Sequence, residues 1–383
     1  MTDPASQASI PLQKIQQVVL LGAGHAHVQV LAQLEIQPLA GAVLTLVCLS
    51  PKLVVAGMVP GFVAGHYQLD NCTIALELLV QRSGIRWIQR NAVGVDAQQQ
   101  IVHLDDGSTL PYDWLSVNTG SVQDRELTER KLPGAREHGL FTLPKEAFSA
   151  LWPRVVEMGE AKPLRVAVIG AGADGVELAL AARHRLPNAA VTLVCGTEPP
   201  GAAFSAQVQK RLRDVLKKRK ITVLQDVALS LKAGSVQLGC GADLACDVPL
   251  LATAMHAPQW LADSGLALDS NGFLALDRYQ RSTSHSRVFA AGGVSTRMDR
   301  PLARHTDYAV LAGPALANNL TAAIGGAALK AHQPPATTLQ ILACGGRSAV
   351  GIWRSFSAQG WWVWWLKDLQ NKRFVARLTA RGN

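Results

Sequence analysis

The stretch LRVAVIGAGADGVELALAARHRL, Leu164 to Leu186, decides the fold. A short apolar run ends on Gly170, and Gly172 and Gly175 complete G-x-G-x-x-G before an alternating apolar segment of helical character. In a strand–turn–helix setting the first glycine permits the tight turn and the second lets a pyrophosphate approach the backbone. The third lets helix and strand pack closely. The start of the helix then offers unpaired N–H groups and the positive end of its dipole to the phosphates. The apolar run AVTLVCG that follows supplies the next strand, so the unit reads as βαβ with parallel strands.

Outward from this unit, the chain carries a second copy. IQQVVLLGAGHAHVQVLAQL, Ile15 to Leu34, is again strand, turn and helix, and AVLTLVCLS follows it. Its loop keeps Gly22 and Gly24, but His27 stands where the third glycine would be, which implies a wider helix–strand spacing there. His25 and His27 are two apart and so face different sides of a helix; packing or a phosphate contact suits each better than a shared metal. Duplication of one nucleotide-binding unit within a chain predicts an α/β protein with two Rossmann-like dinucleotide-binding domains. Neither copy has a carboxylate at the end of its second strand. Cys48-Leu49-Ser50 and Cys195-Gly196-Thr197 stand there, so the choice between NADH and NADPH stays open.

Around these units the organisation reads as a leader over 1–13 and a first nucleotide domain over 14–125. A second domain covers 126–268, a return to the first covers 269–333, and a tryptophan-rich basic tail covers 334–383. Residues 91–120 read as a small meander with turn chemistry at Asp105-Asp106-Gly107, residues 206–219 as a basic helix, and 305–320 as another helix. With 383 residues, 48% hydrophobic and 17% charged, the chain has enough apolar surface for sizeable cores. Its net charge of +9 suits an anionic partner such as a dinucleotide or an acidic membrane surface. Nucleic acid is not expected, because the aromatics are not interleaved with basic residues. The six cysteines include no C-x-x-C pair and no Cys/His cluster, which argues against a redox dithiol and against a metal site. The first ten residues lack a signal-peptide pattern and no run spans a bilayer, so a cytoplasmic protein is expected, with the inner membrane face as a docking surface.

The sequence resembles the FAD- and NAD(P)H-dependent flavoproteins that include type II NADH dehydrogenases and sulfide:quinone reductases. More narrowly, it is similar to the reductase module found fused to selenide, water dikinase. The likeness is carried by LLGAGHAHVQVL, SPKLVVAGMVPGFVAGHY, DWLSVNTGS, LPGAREHGLF, IGAGADGVELA, HSRVFAAGG and GWWVWWLKDLQNKRF. It implies FAD at the first loop, with Gly22, Gly24 and His25 at the pyrophosphate and Ser50 at the adenosine ribose. It sets Met58 and Pro60 against the flavin, Thr119 and Gly120 along the cleft, and Gly292 and Gly293 at the ribityl chain. NAD(P)H falls at Gly170, Gly172 and Gly175, and Glu177 at the nicotinamide edge as the catalytic candidate. The implied activity is hydride transfer from NAD(P)H to flavin and on to a quinone-like or other small acceptor. Where such proteins carry an aspartate, this chain has Gly293; Val55 and Ala56 replace an aromatic and a hydroxyl, and Leu143-Pro144 replaces a Lys-Pro pair. These losses raise a second expectation, a non-catalytic nucleotide-binding or redox-sensing protein with weakened FAD binding. For the tail, two expectations stand side by side: docking on an anionic membrane, and packing into the flavin domain.

Overall fold

The computed structural model describes residues 15–379; the expected leader lies outside them, as do Arg381 and the last residues of the tail. Two five-stranded parallel sheets form its centre. In the first, Gln16–Leu21 lies between Ala42–Val47 and Trp114–Val117, with Arg86–Ile88 on one edge and Val288–Ala290 on the other. In the second, Arg165–Ile169 holds the same central place between Ala190–Val194 and Val248–Leu251, flanked by Thr222–Leu224 and Leu140–Phe141.

The two units share one element order, which in the first is interrupted by the strand pair Lys52–Val54 and Thr73–Ala75 with the short helix Val59–Val63 between them. Each runs through a strand, a helix after a glycine turn, a second strand, another helix and a third strand. A three-stranded antiparallel meander and a fourth parallel strand follow. The meanders are Ala92–Asp96, Ile101–Leu104 and Thr109–Pro111 in the first unit, and Ala228–Lys232, Ser235–Leu238 and Asp243–Ala245 in the second. In both sheets the glycine turn follows the strand at which the order reverses, where open α/β sheets bind ligands. The first sheet is completed only by Val288–Ala290, from beyond the second unit.

The tryptophan-rich tail holds a sheet as well as a helix. Gln340–Ala343, Ala349–Trp353 and Phe356–Gly360 form an antiparallel sheet, and the helix Trp361–Thr379 follows directly. The apolar run AVGIW is too short, and Gly351 too weak a strand former at its centre, to announce the strands. This sheet rests on the helix Ala173–Arg185 of the second unit. Gly345, at φ +78°, lies so close to the Leu180 carbonyl that a Cβ would sit 2.1 Å from it. The C-terminal helix then crosses to the first unit. Its Leu378 is buried in the core beside Leu76 and Leu79, with Phe374 and Val375 packed against the same cluster. Asn371 donates to the Gly57 carbonyl at 3.1 Å, and Arg82 donates to the Leu378 carbonyl at 3.0 Å.

One buried ion pair fixes this crossing. Lys367 Nζ meets Glu177 Oε1 at 2.5 Å and also donates to the Ile341 carbonyl at 2.7 Å. The same carboxylate oxygen accepts the Ala343 N–H. Removing one member of such a pair strands the other charge, at about 3–5 kcal/mol. Lys367→Met should therefore lower the urea midpoint strongly, whereas Lys367→Met with Glu177→Leu should recover much of the loss. Equal destabilisation by the single and double variants would count against the pair.

Candidate functional site

The second glycine loop is open. Gly170 adopts φ +108°, and a Cβ on it would meet the Ala252 carbonyl at 2.3 Å. Gly175 packs on the Gly170 carbonyl, where a Cβ would sit 1.9 Å away, while a Cβ on Gly172 would meet nothing within 4 Å. Glycine is thus required at 170 and 175 by the protein, and Gly172 faces empty space that a phosphate can enter. No side chain caps the helix that starts at Ala173. Among the described residues, the N–H groups of Ala173, Asp174 and Gly175 have no protein acceptor. Free amides at a helix start with open approach fit a dinucleotide pyrophosphate.

The first loop is built differently. Gly22, at φ +83°, and Gly24 both crowd Asn118: a Cβ on Gly22 would lie 2.8 Å from its carbonyl oxygen, and one on Gly24 2.5 Å from its Oδ1. Room for a ligand was the expected reason for glycine at 24; contact with a protein side chain is the observed one. Asn118 is buried, and its Oδ1 accepts from the N–H groups of Ala26 at 3.1 Å and His27 at 3.0 Å. Its Nδ2 donates to the Ala291 carbonyl at 2.6 Å. The His25 N–H is left as the helix-start amide without a protein acceptor among the described residues.

His27, in the place of the third glycine, bonds to the turn and to the neighbouring strand. Its Nδ1 lies 2.5 Å from the Gly22 carbonyl, which can only accept, so Nδ1 carries the hydrogen. Its Nε2, 2.8 Å from Ser116 Oγ, then accepts from the hydroxyl. Gly22 therefore receives from the imidazole what Gly170 meets from Gly175, a close partner on its carbonyl. Burial pushes the His27 pKa down to about 4, against which the Gly22 bond is a smaller effect. His25 is half-buried, stacked on Phe374 at 5.7 Å, and its Nε2 faces the Ala56 N–H at 3.4 Å. Burial and the Lys145 charge lower it to about 4 as well.

Of the other expected residues, Gly292, at φ +77°, joins the Asn118 cluster, its absent Cβ 2.8 Å from Nδ2. Gly293 lies against Ser121, whose N–H and hydroxyl would each be 3.1 Å from a Cβ there. Thr119 is exposed, and Gly120, at φ +77°, faces open space. Met58 is buried in the first core, one residue ahead of the short helix Val59–Val63 that contains Pro60. Ser50 spends its hydroxyl hydrogen on the Lys52 carbonyl at 2.6 Å, so toward a ribose it acts only as an acceptor. Glu177, expected at the nicotinamide edge, turns its carboxylate to Lys367 and Ala343 instead.

Sequence reasoning missed Asn118, Ser116 and Lys367. The only local sign of Asn118 was a polar residue closing the apolar strand WLSV. All six cysteines are free. Burial raises the Cys72 and Cys344 thiols to about 12, and the Cys195 and Cys246 thiols to about 11, so none of these four is a thiolate nucleophile near neutral pH. Among the described residues no His/Cys/Asp/Glu group is arranged to hold a metal.

Two parallel-sheet units, each with a glycine loop at the strand where the order reverses, make a two-dinucleotide fold, and the comparisons agree. Residues 16–313 match the pyridine nucleotide-disulphide oxidoreductase family, and the chain belongs to it. Glutathione reductase of Yarrowia lipolytica is 28% identical over 259 residues, 63% of this chain but only 50% of that protein. Ferroptosis suppressor protein 1 of Xenopus laevis is 23% identical over 70% of this chain and 71% of its own. Among solved structures, NDH2 from Plasmodium falciparum in complex with NADH superposes with a TM-score of 0.78 at 12% identity, covering 94% of this chain and 96% of that one. The sulfide:quinone oxidoreductase of Aquifex aeolicus gives 0.77 at 17% identity, covering 95% and 92%. The chain is an enzyme of the NAD(P)H-dependent flavoprotein oxidoreductase class, with FAD and NAD(P)H as its cofactors.

The buried imidazole gives a pH signature. An unfolded chain protonates His27 near its ordinary 6.5, the folded one only near 4, so its stabilising effect is full above pH 6.5 and lost as pH falls toward 4. The loss reaches about 2 kcal/mol at pH 5. His27→Gln should show a shallower fall in urea midpoint between pH 7 and 5 than the parent chain. Parallel pH profiles would mean that His27 is not the titrating group.

Proposed function

We propose that the chain transfers electrons from NAD(P)H held at Gly170–Gly175, through FAD held at the Gly22–Gly24 loop, to a quinone-like or other small acceptor. The observation that carries the reading is the open, uncapped second loop on a duplicate of the first unit. Bound FAD would supply the hydride-accepting and electron-passing chemistry. The protein's part is to bind and orient. The Ala173–Gly175 amides receive the NAD(P)H pyrophosphate, and the His25 N–H and the open face of Gly120 serve FAD. The Ser121 N–H and hydroxyl stand beside Gly293 in place of a carboxylate. Glu177 acts by fixing the C-terminal helix through Lys367. Cysteine-based disulfide chemistry is not part of the reading, since the buried thiols stay protonated.

For the acceptor, a cleft of about 520 Å³ opens between Met58, Tyr67, Asn71 and Thr73 on one side and Lys372, Val375, Ala376 and Thr379 of the C-terminal helix on the other. That size suits a small molecule, and the side chains around it are largely polar, which favours a compact, hydrophilic acceptor group. The narrower likeness to modules fused to selenide, water dikinase belongs to this proposal as well; it rests on GMVPG, VNTGS and the tail. Purified protein should show a flavin visible spectrum that NADH bleaches without oxygen, and Gly172→Val should abolish the bleaching. Ala376→Trp should raise KM for a water-soluble quinone while bleaching by NADH proceeds at the parent rate. Quinone turnover unaffected by the tryptophan would place the acceptor elsewhere.

Membrane docking enters the proposal in altered form. No helix among the described residues is long and apolar enough to cross a bilayer. Five large aromatics are exposed on the C-terminal sheet and the first turns of its helix: Trp353, Phe356, Trp361, Trp362 and Trp365. The basic residues contribute less than their number suggests. Lys367 is half-buried against Glu177, and Lys372 pairs with Asp368 at 2.9 Å. Ring insertion at the interface, more than charge, would therefore hold the protein to lipid. Replacing Trp361, Trp362 and Trp365 with serine should abolish co-sedimentation with anionic vesicles, and high salt should weaken it only partly. Unchanged pelleting of the triple variant would end this part of the proposal.

A further inference from the structure

The duplication supplies an internal comparison. Asn118 follows the fourth parallel strand of the first unit, and Ala252 follows its counterpart, Val248–Leu251, in the second. At the second loop the alanine methyl leaves the helix start open. At the first, the carboxamide closes two of its amides and reaches across to Ala291. The third loop position changes with it, Gly175 in one copy and His27 in the other. Gly22, Gly24 and Gly292 each lack a side chain where one would strike Asn118.

We propose that Asn118 is a positioning residue for FAD, a single carboxamide that sets the distance between the pyrophosphate loop and the Gly292–Gly293 turn. Its backbone N–H donates to the Leu21 carbonyl and its carbonyl accepts from the Gly24 N–H, so the residue is held from both sides before its side chain acts. Oδ1 then fixes the helix start and Nδ2 fixes Ala291, the residue before the glycine pair. Phosphate contacts at the Ala26 and His27 amides are exchanged for this cross-link. The inference rests on FAD occupying the first loop.

Asn118→Asp and Asn118→Ala separate the functions of the two ends of the amide. The aspartate keeps the acceptor toward Ala26 and His27 but sets an oxygen against the Ala291 carbonyl, while the alanine copies Ala252. FAD dissociation constants, read by flavin fluorescence on apoprotein, should rise roughly ten- to a hundredfold in Asn118→Asp and by less in Asn118→Ala. NADH affinity at the second loop, read by calorimetry, should stay at the parent value and serves as the measure of folding. The absorption envelope of bound flavin should shift in both variants. FAD affinity within twofold of the parent in both would overturn the proposal, as would parallel losses of FAD and NADH. Absence of FAD binding in the parent chain would instead remove the reading on which the proposal stands.

Discussion

One carboxylate oxygen, Oε1 of Glu177, ties both the C-terminal sheet and the C-terminal helix to the second nucleotide unit. It takes a proton donor from Lys367 on the C-terminal helix and another from Ala343 on the C-terminal sheet, while belonging to the helix of the second nucleotide loop. Burying two charges costs several kcal/mol, offset only where geometry and extra hydrogen bonds are good; the Ile341 carbonyl and the Ala343 N–H supply them here. With Lys367 anchored, the helix can reach Tyr67, Gly57, His25 and Arg82 in turn, each about one helical turn further on. The tail is thus a brace across both nucleotide units.

What the sequence disclosed and what it hid follow from the range of the forces involved. Glycine turns are legible because a backbone conformation or a close approach demands a residue type at a fixed spacing, and the duplication made that demand visible twice. Parallel strands were legible as apolar runs beside such turns. The Glu177–Lys367 pair joins residues far apart in the chain, and nothing local to either marks it. The C-terminal sheet escaped because its strands carry glycine and alanine where the helix Trp361–Thr379 covers them, which blunts any alternation.

The same residue type can also be right for the wrong cause. Gly24 and Gly172 occupy equivalent places in the motif, yet only Gly172 faces open space. Gly24 is small because Asn118 fills the volume a ligand was expected to approach. Likewise His27, read as a spacer between helix and strand, also bonds across the gap through two hydrogen bonds. A motif fixes which positions are constrained; the neighbours decide what does the constraining.

The edge strand Val288–Ala290 carries a consequence for biosynthesis. Trp114–Val117 is an apolar strand with an unpaired side until Val288–Ala290 joins it, and that segment leaves the ribosome roughly 170 residues later, about 10–30 s at ordinary elongation rates. During that interval the nascent first unit presents a bare sheet edge of the kind that invites mispairing with other chains. The second unit, whose strands all lie within one continuous stretch from Leu140 to Leu251, can close its sheet earlier. The second unit can therefore pair all five strands of its sheet before the first unit does, while its core still waits for Leu342, Cys344, Val350 and Ile352 of the C-terminal sheet.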